Sequence, residues 1–326
     1  MKKVSAFIVV SILLVLGVIF SVSVGSVNIP FGDIVQGIFT QGTGNIGIIR
    51  TIRIPRVIMG VLVGANLSVA GVLLQGVMRN PLADPGITGI SSGASVVVML
   101  ILLYFPQTSH MIPMYGFIGG MVACAMIYSL AWKKGITAVR IILAGVAVNS
   151  MLGGVSSMIS ILNSDSLAGV LNWMNGNLGK KSWDEVKLMV IYTGIGLVLS
   201  MPMAKSCNLL ALGDKNAKSL GINPNLQRVM ISVIAVFLAG ISTAYAGVIG
   251  FIGLVVPHVA RLLMGSDHKV LIPFSAILGS FVLVMADTLG RTITAPYEIP
   301  VGVIMSVLGG PFFLYLLRKG GNSYGS

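Results

Sequence analysis

Long apolar runs recur along the whole of this 326-residue chain, so closely spaced that little else fits between them. About 20 consecutive apolar residues form a helix long enough to cross the hydrocarbon core of a bilayer. Such runs lie near residues 4–24, 57–78, 89–106, 111–132, 139–161, 186–204, 229–248, 249–265, 270–289 and 299–317. They predict an all-α polytopic membrane protein with ten transmembrane helices. At about 20 residues each, ten spans take up about 200 residues and leave only short loops. The expectation is therefore one transmembrane domain over 1–326, with repeat halves at approximately 1–180 and 181–326. Charge agrees: 21 Lys and Arg with nine Asp and Glu make 9% of the chain, against about 25% in a soluble domain. Disordered, fibrous and nucleic-acid-binding readings fall with that number. The net charge of +12 is better read through its distribution among loops.

Lys2 and Lys3 precede a first apolar run that resembles a secretory signal, with Ser23, Gly25 and Ser26 at its end. Its length of about 21 residues exceeds the usual 7 to 15 of a signal core, so it reads as an uncleaved span. With the N-terminus inside, seven of the 21 basic residues fall outside: Arg50, Arg53, Arg56, Lys180, Lys181, Lys187 and Arg291. The other 14, Lys133 and Lys134 among them, fall inside, which predicts both termini in the cytoplasm. The 41 glycines include small-xxx-small pairs such as Gly60 with Gly64 and Gly116 with Gly120, suited to close helix packing. Shifting the chain by 176 positions lays Leu62, Gly64, Ala70, Gly71, Val72 and Pro81 on Leu238, Gly240, Ala246, Gly247, Val248 and Pro257. That shift carries span two onto span seven, five spans later, so the copies run in opposite directions. Inverted repeats of this kind are a transporter architecture.

Catalytic motifs are weak. Gly89-Ile90-Ser91-Ser92-Gly93 has the spacing of a hydrolase nucleophile elbow, but that elbow sits between a strand and a helix, and here the motif opens a span. Packing glycines are the expected reading. Gly179-Lys180 lacks both the earlier glycine and the following Ser or Thr of a phosphate loop, so energy from ATP would have to come from a partner chain. His110, His258 and His268 are dispersed, and Cys124 and Cys207 suggest neither a disulfide nor a metal site. No cofactor is expected on this chain.

Three segments carry more information. Arg79-Asn80-Pro81-Leu82-Ala83-Asp84-Pro85 is a short, stiff turn between spans two and three. It is either an ordinary connector or a constriction that holds Leu82 in a pore mouth. Residues 207–224 form the longest inner loop, where Asp214 is placed to cap a short helix ending at Leu220 and Gly221, with Pro224 beyond. Leu209, Leu212, Ala217 and Leu220 would meet a protein groove or rest on lipid. Asp287 and Arg291 are four apart near the outer end of span nine, with Glu298 following. They form a structural pair, or a proton relay for which further acidic residues at depth are lacking.

These blocks together resemble the FecCD family, the membrane permeases of binding-protein-dependent ABC importers for ferric siderophores, haem and vitamin B12. The first half supplies Arg53-Ile54-Pro55-Arg56, Gly71 to Gln75 with the Arg79 to Pro85 turn, Leu143-Ala144-Gly145-Val146 and Trp173-Met174-Asn175-Gly176. The second supplies Ala211 to Asp214, Leu220-Gly221, Gly250 to Leu254 with Pro257-His258 and Arg261, Glu298 to Gly302, and Gly309-Gly310-Pro311. The resemblance implies a ten-helix, non-catalytic subunit of the cell membrane that dimerises with a copy of itself or a paralogue. Two ATPase subunits would sit below and an extracytoplasmic substrate-binding protein above. It implies that Leu212, Gly213, Asp214, Ala217, Leu220 and Gly221 form the ATPase-coupling helix. Asn80 and Leu82 would form an inner gate, Thr137 and Ala138 a second, and Arg53, Arg56 and Arg291 would meet acidic residues of the binding protein. An ion-driven secondary transporter and an intramembrane enzyme are the competing readings. The first needs acidic relays within spans, and the second needs a nucleophile with a base.

Overall fold

A computed structural model of the chain describes residues 2–25, 45–132, 137–163 and 168–320. Lys133 and Lys134, and Ser26 of the signal-like end, lie outside the described residues. Twelve helices organise the rest: α1 (Lys2–Ser23), α2 (Ile54–Met78), α3 (Ile90–Tyr104), α4 (Ile112–Ala131), α5 (Ala138–Leu162), α6 (Ala168–Met174), α7 (Trp183–Ala211), α8 (Asp214–Ser219), α9 (Pro224–Ala246), α10 (Ile252–Met264), α11 (His268–Thr292) and α12 (Val301–Gly320). Seven helical stretches are long and apolar enough to cross a membrane, and α3, α10 and the apolar part of α12 are shorter apolar helices. Together they occupy the ten expected spans.

Hydropathy does not tell which spans are central, because both the exposed and the buried sides of the spans are largely apolar. Small residues decide it. The second span carries Gly60, Gly64, Gly71 and Gly76 and is buried along nearly its whole length. It packs on α11, α9, α7 and α10. At Gly71 the approach is so close that a Cβ would stand 1.9 Å from the carbonyl oxygen of Gly253, a contact only glycine permits. The span also starts earlier than its apolar run, since a π-turn at Ile49–Arg53 leads into α2. Arg50, Arg53 and Arg56 had hidden that turn from a hydropathy reading.

Helix contacts fall into matched pairs across the α2–α9 contact: α2 on α11 with α9 on α4, α2 on α10 with α9 on α3, and α4 on α5 with α11 on α12. This is the neighbour pattern an inverted repeat produces. The first helix of each set departs from it, for α1 packs mainly on α11 whereas α7 packs on α2 and α9 as well as on α11. The nucleophile-elbow match is a packing feature: a Cβ on Gly93 would stand 2.3 Å from the carbonyl oxygen of Gly119 on α4. Ser92 donates to Asn149 Oδ1 at 2.7 Å and faces no base.

Candidate functional site

Two polar assemblies stand at opposite ends of the bundle. At the end that carries α8, α2 stops because Arg79 turns into the left-handed region (φ 48°, ψ 37°). Asn80 then folds the chain back: its side-chain oxygen accepts from the Leu82 N–H at 2.9 Å, and its carbonyl accepts from the Ala83 N–H at 3.1 Å. Asp84 closes the turn by accepting from the Gly86 N–H at 2.8 Å, opening a 3₁₀ turn at Pro85–Thr88. The result buries Ala83 and leaves Leu82 39% exposed at the tip. A rigid Asx-type turn with one protruding leucine is suited to narrowing a passage.

Helix α8 departs from its expected cap. Its N-cap is Gly213 at φ 96°, and Asp214 is the first helical residue without a side-chain cap. The Asp214 carboxylate is held by two arginines from elsewhere. Arg228 on α9 donates to its Oδ1 at 2.7 Å and its Oδ2 at 2.9 Å, and Arg79 from the Leu82 turn donates to Oδ1. The hydrogen bonds from Arg228, with the positive charge of Arg79 added, hold the Asp214 carboxyl below the usual carboxylate range. Thus the turn and the α8 helix, far apart in sequence, meet at one carboxylate. Ala217 is the buried anchor of α8, while Leu212 and Leu220 are 55% and 57% exposed. Gly221 ends the helix at φ 82°, and Asn223 caps α9 by accepting from Asn225 and Leu226. Arg228 was missed as a functional residue. The signal was the scarcity of acid: nine acidic residues stand against 21 basic ones, so the Asp214 carboxylate has many cations to draw on.

Thr137 is the extended, exposed residue before α5, and Ala138 is the half-buried first residue of that helix. Two turns further along, α5 is fastened to the 3₁₀ turn. Asn149 donates to the Gly86 carbonyl at 3.1 Å, and Gly145 lies so near that a Cβ would stand 2.3 Å from the Ile87 carbonyl oxygen.

At the opposite end the docking arginines require a correction. Arg53, Arg56 and Arg291 are 5%, 6% and 3% exposed, so they are no free forks on this chain. Their partners are internal. Arg56 grips Asp287 in a fork, Nε to Oδ2 and Nη2 to Oδ1 both at 2.9 Å, and reaches Glu298 at 2.7 Å. Arg53 donates to the carbonyls of Val22 and Ser23, and Arg291 to those of Ser21 and Val24, so the final carbonyls of α1 are satisfied by cations. The anticipated pair of Asp287 and Arg291 exists, but at 3.3 Å it is secondary to the Arg56 fork. Burial forces these pairings, because an unpaired charge here would lose its hydration with nothing in return.

Among the described residues no group of three or more His, Cys, Asp or Glu side chains is placed to hold a metal ion. The geometry is that of a membrane bundle whose short helix α8 is joined to the Leu82 turn at the Asp214 carboxylate. The chain belongs to the FecCD transport family, whose profile matches residues 13–319. It is 41% identical over 322 residues to the Fe(3+)-citrate import system permease protein YfmD of Bacillus subtilis (strain 168), covering 98% of this chain and 96% of that one. It is 38% identical over 321 residues to the iron(3+)-hydroxamate import system permease protein FhuG of the same organism, covering 95% and 96%. A solved inward-facing metal-chelate type ABC transporter matches with a TM-score of 0.82 at 26% identity, over 97% of this chain and 99% of that one. The protein is thus a multi-pass membrane permease subunit of an ABC importer, working with an ATPase on a separate chain and a second permease subunit.

Proposed function

We propose that this permease forms the import pathway for a ferric siderophore or a related large iron chelate, with haem or cobalamin as the alternative cargo. The reading rests on the two B. subtilis relatives, each named for an iron(III) chelate and each aligned over nearly the full chain. The mechanism builds on the residues described. ATPase closure pushes on α8 through Leu212 and Leu220, and the Arg79–Asp214–Arg228 junction passes that displacement to the turn bearing Asn80 and Leu82. Thr137 and Ala138 form a second constriction, moved with the first because α5 is fastened to the same turn.

Helix α5 exposes Ser150, Gly153, Gly154 and Ser157 in the midst of an apolar span. Small polar residues on an uncovered face favour close packing by another helix or contact with water over contact with lipid. A two-fold pair of permeases, identical or paralogous, would turn these faces toward a shared path. Two ATPases dock on the α8 end, which lies in the cytoplasm together with both termini. A substrate-binding protein docks on the opposite end, where Arg53, Arg56 and Arg291 brace the rim from beneath. ATPase stimulation of the reconstituted complex tests the cargo. With the cognate binding protein present, a ferric siderophore or ferric citrate is expected to raise turnover where haem and cobalamin do not; stimulation by haem or cobalamin alone would reassign it.

A further inference from the structure

Cys207 and His268 looked unrelated in sequence, yet the fold brings them to one point. Cys207 stands on the last turn of α7, and His268 opens α11. Both are buried, at 0% and 6% exposure. They converge on Gly76 of α2, where the position a Cβ would take is 3.2 Å from Cys207 Sγ and 3.2 Å from His268 Nε2. Because Gly76 has no side chain, a thiol and an imidazole nitrogen can both stand against the α2 backbone at this point.

The state of the imidazole follows from its neighbours. The Asn208 side-chain nitrogen donates to the Asp267 carboxylate at 2.7 Å, so the Asn208 oxygen is an acceptor. That oxygen accepts from the His268 backbone N–H at 3.0 Å and lies 2.7 Å from the ring Nδ1. The proton therefore sits on Nδ1, and Nε2 offers a lone pair. Nε2 is buried without a hydrogen-bond partner. A buried imidazole with its far nitrogen fixed by a second residue and its near nitrogen bare is the arrangement of a metal ligand.

We propose that Cys207 Sγ and His268 Nε2 form a two-coordinate site for a soft monovalent ion, copper(I) or silver(I). Thiolate sulfur selects such ions, and imidazole suits copper as well. On binding, the Cys207 thiol releases its proton to solvent, the thiolate and the Nε2 lone pair bond the ion, and no oxidation state changes. Thiolate and monovalent cation together are neutral, which suits a buried site; a divalent ion would leave a net positive charge there. Of the charged groups that act on the imidazole, Arg261 would oppose that extra charge, and Asp267 is already engaged with Asn208. Occupancy would pin the end of α7 to the start of α11, next to the α8 junction.

Silver(I) in chloride-free buffer, titrated into the purified permease–ATPase complex and followed by metal content and thermal melting, tests the proposal. One tightly held ion per permease chain is expected, kept in Cys124→Ser and lost in Cys207→Ser. Removing the Asn208 contact in Asn208→Ala should weaken affinity about tenfold or more. Gly76→Ala should block binding with both donor residues still present, because its methyl group would press on both donor atoms from 3.2 Å. If His268→Gln does not fold, this variant carries the test of the second ligand. Wild-type affinity in Cys207→Ser or in Gly76→Ala, or no stoichiometric binding by the native complex, would overturn the site.

Discussion

Asp214 is the residue on which the coupling account turns, since one carboxylate serves arginines from two elements. Replacing it by Ala removes the carboxylate that Arg228 and Arg79 share, and with Asp214 itself half exposed the expected loss is about 1–3 kcal/mol of local stability. Measured in vesicles, Asp214→Ala should insert normally but import slowly, and equal import would detach the residue from coupling. The pH dependence has a definite sign. A carboxyl held below its free value of about 3.9 contributes fully above that pH and loses its contribution as pH falls through the lower folded value. ATPase co-purification should therefore be flat from about pH 8 to about pH 5. At the other end, Arg56→Ala removes the fork and leaves Asp287 with the longer Arg291 contact, and should cost about 3 kcal/mol, seen as a large drop in melting temperature. Glu298→Ala, at a half-exposed rim position, should cost at most about 1 kcal/mol. These partners were not legible in the sequence, because Arg56 and Asp287 are 231 residues apart and Arg79 and Asp214 are 135 apart. The pair that spacing did offer, Asp287 with Arg291, proved the weaker one.

Among elements, α8 was legible in extent and misread at its start. Gly221 and Pro224 mark its end as expected, but Asp214 is drawn away from capping by arginines that no local rule could foresee. The combined change Leu220→Asp and Gly221→Pro removes the exposed leucine and forces a φ near −65° where the backbone needs +82°. The protein should still insert while the ATPase no longer co-purifies, and normal co-purification would exclude α8 as the docking element. In the turn, the proposed constriction depends on Leu82, which stands 39% exposed at the tip of the Asx geometry. Leu82→Ala should raise leak of substrate without ATP in proteoliposomes holding the assembled complex; unchanged leak would return the turn to a connector.

At the scale of the whole molecule, the apolar runs made the ten expected spans legible as helices, seven of them long enough to cross a bilayer and three shorter. Burial order was not legible, since lipid-facing and protein-facing sides are equally apolar; α2 became central through its glycines and the contacts that only the fold supplies. The absence of acidic relays argued against an ion-driven carrier, and the acids nearest membrane depth, Asp287 and Glu298, are taken up by Arg56. The energy source is accordingly the most direct test of the account. Uptake of iron-55 citrate or hydroxamate would be measured in proteoliposomes containing the permease, its ATPase and the binding protein, with ATP or an imposed proton or sodium gradient as the only drive. Accumulation with ATP alone, abolished by Leu220→Asp with Gly221→Pro, is the predicted result. Accumulation driven by an ion gradient without ATP would contradict it.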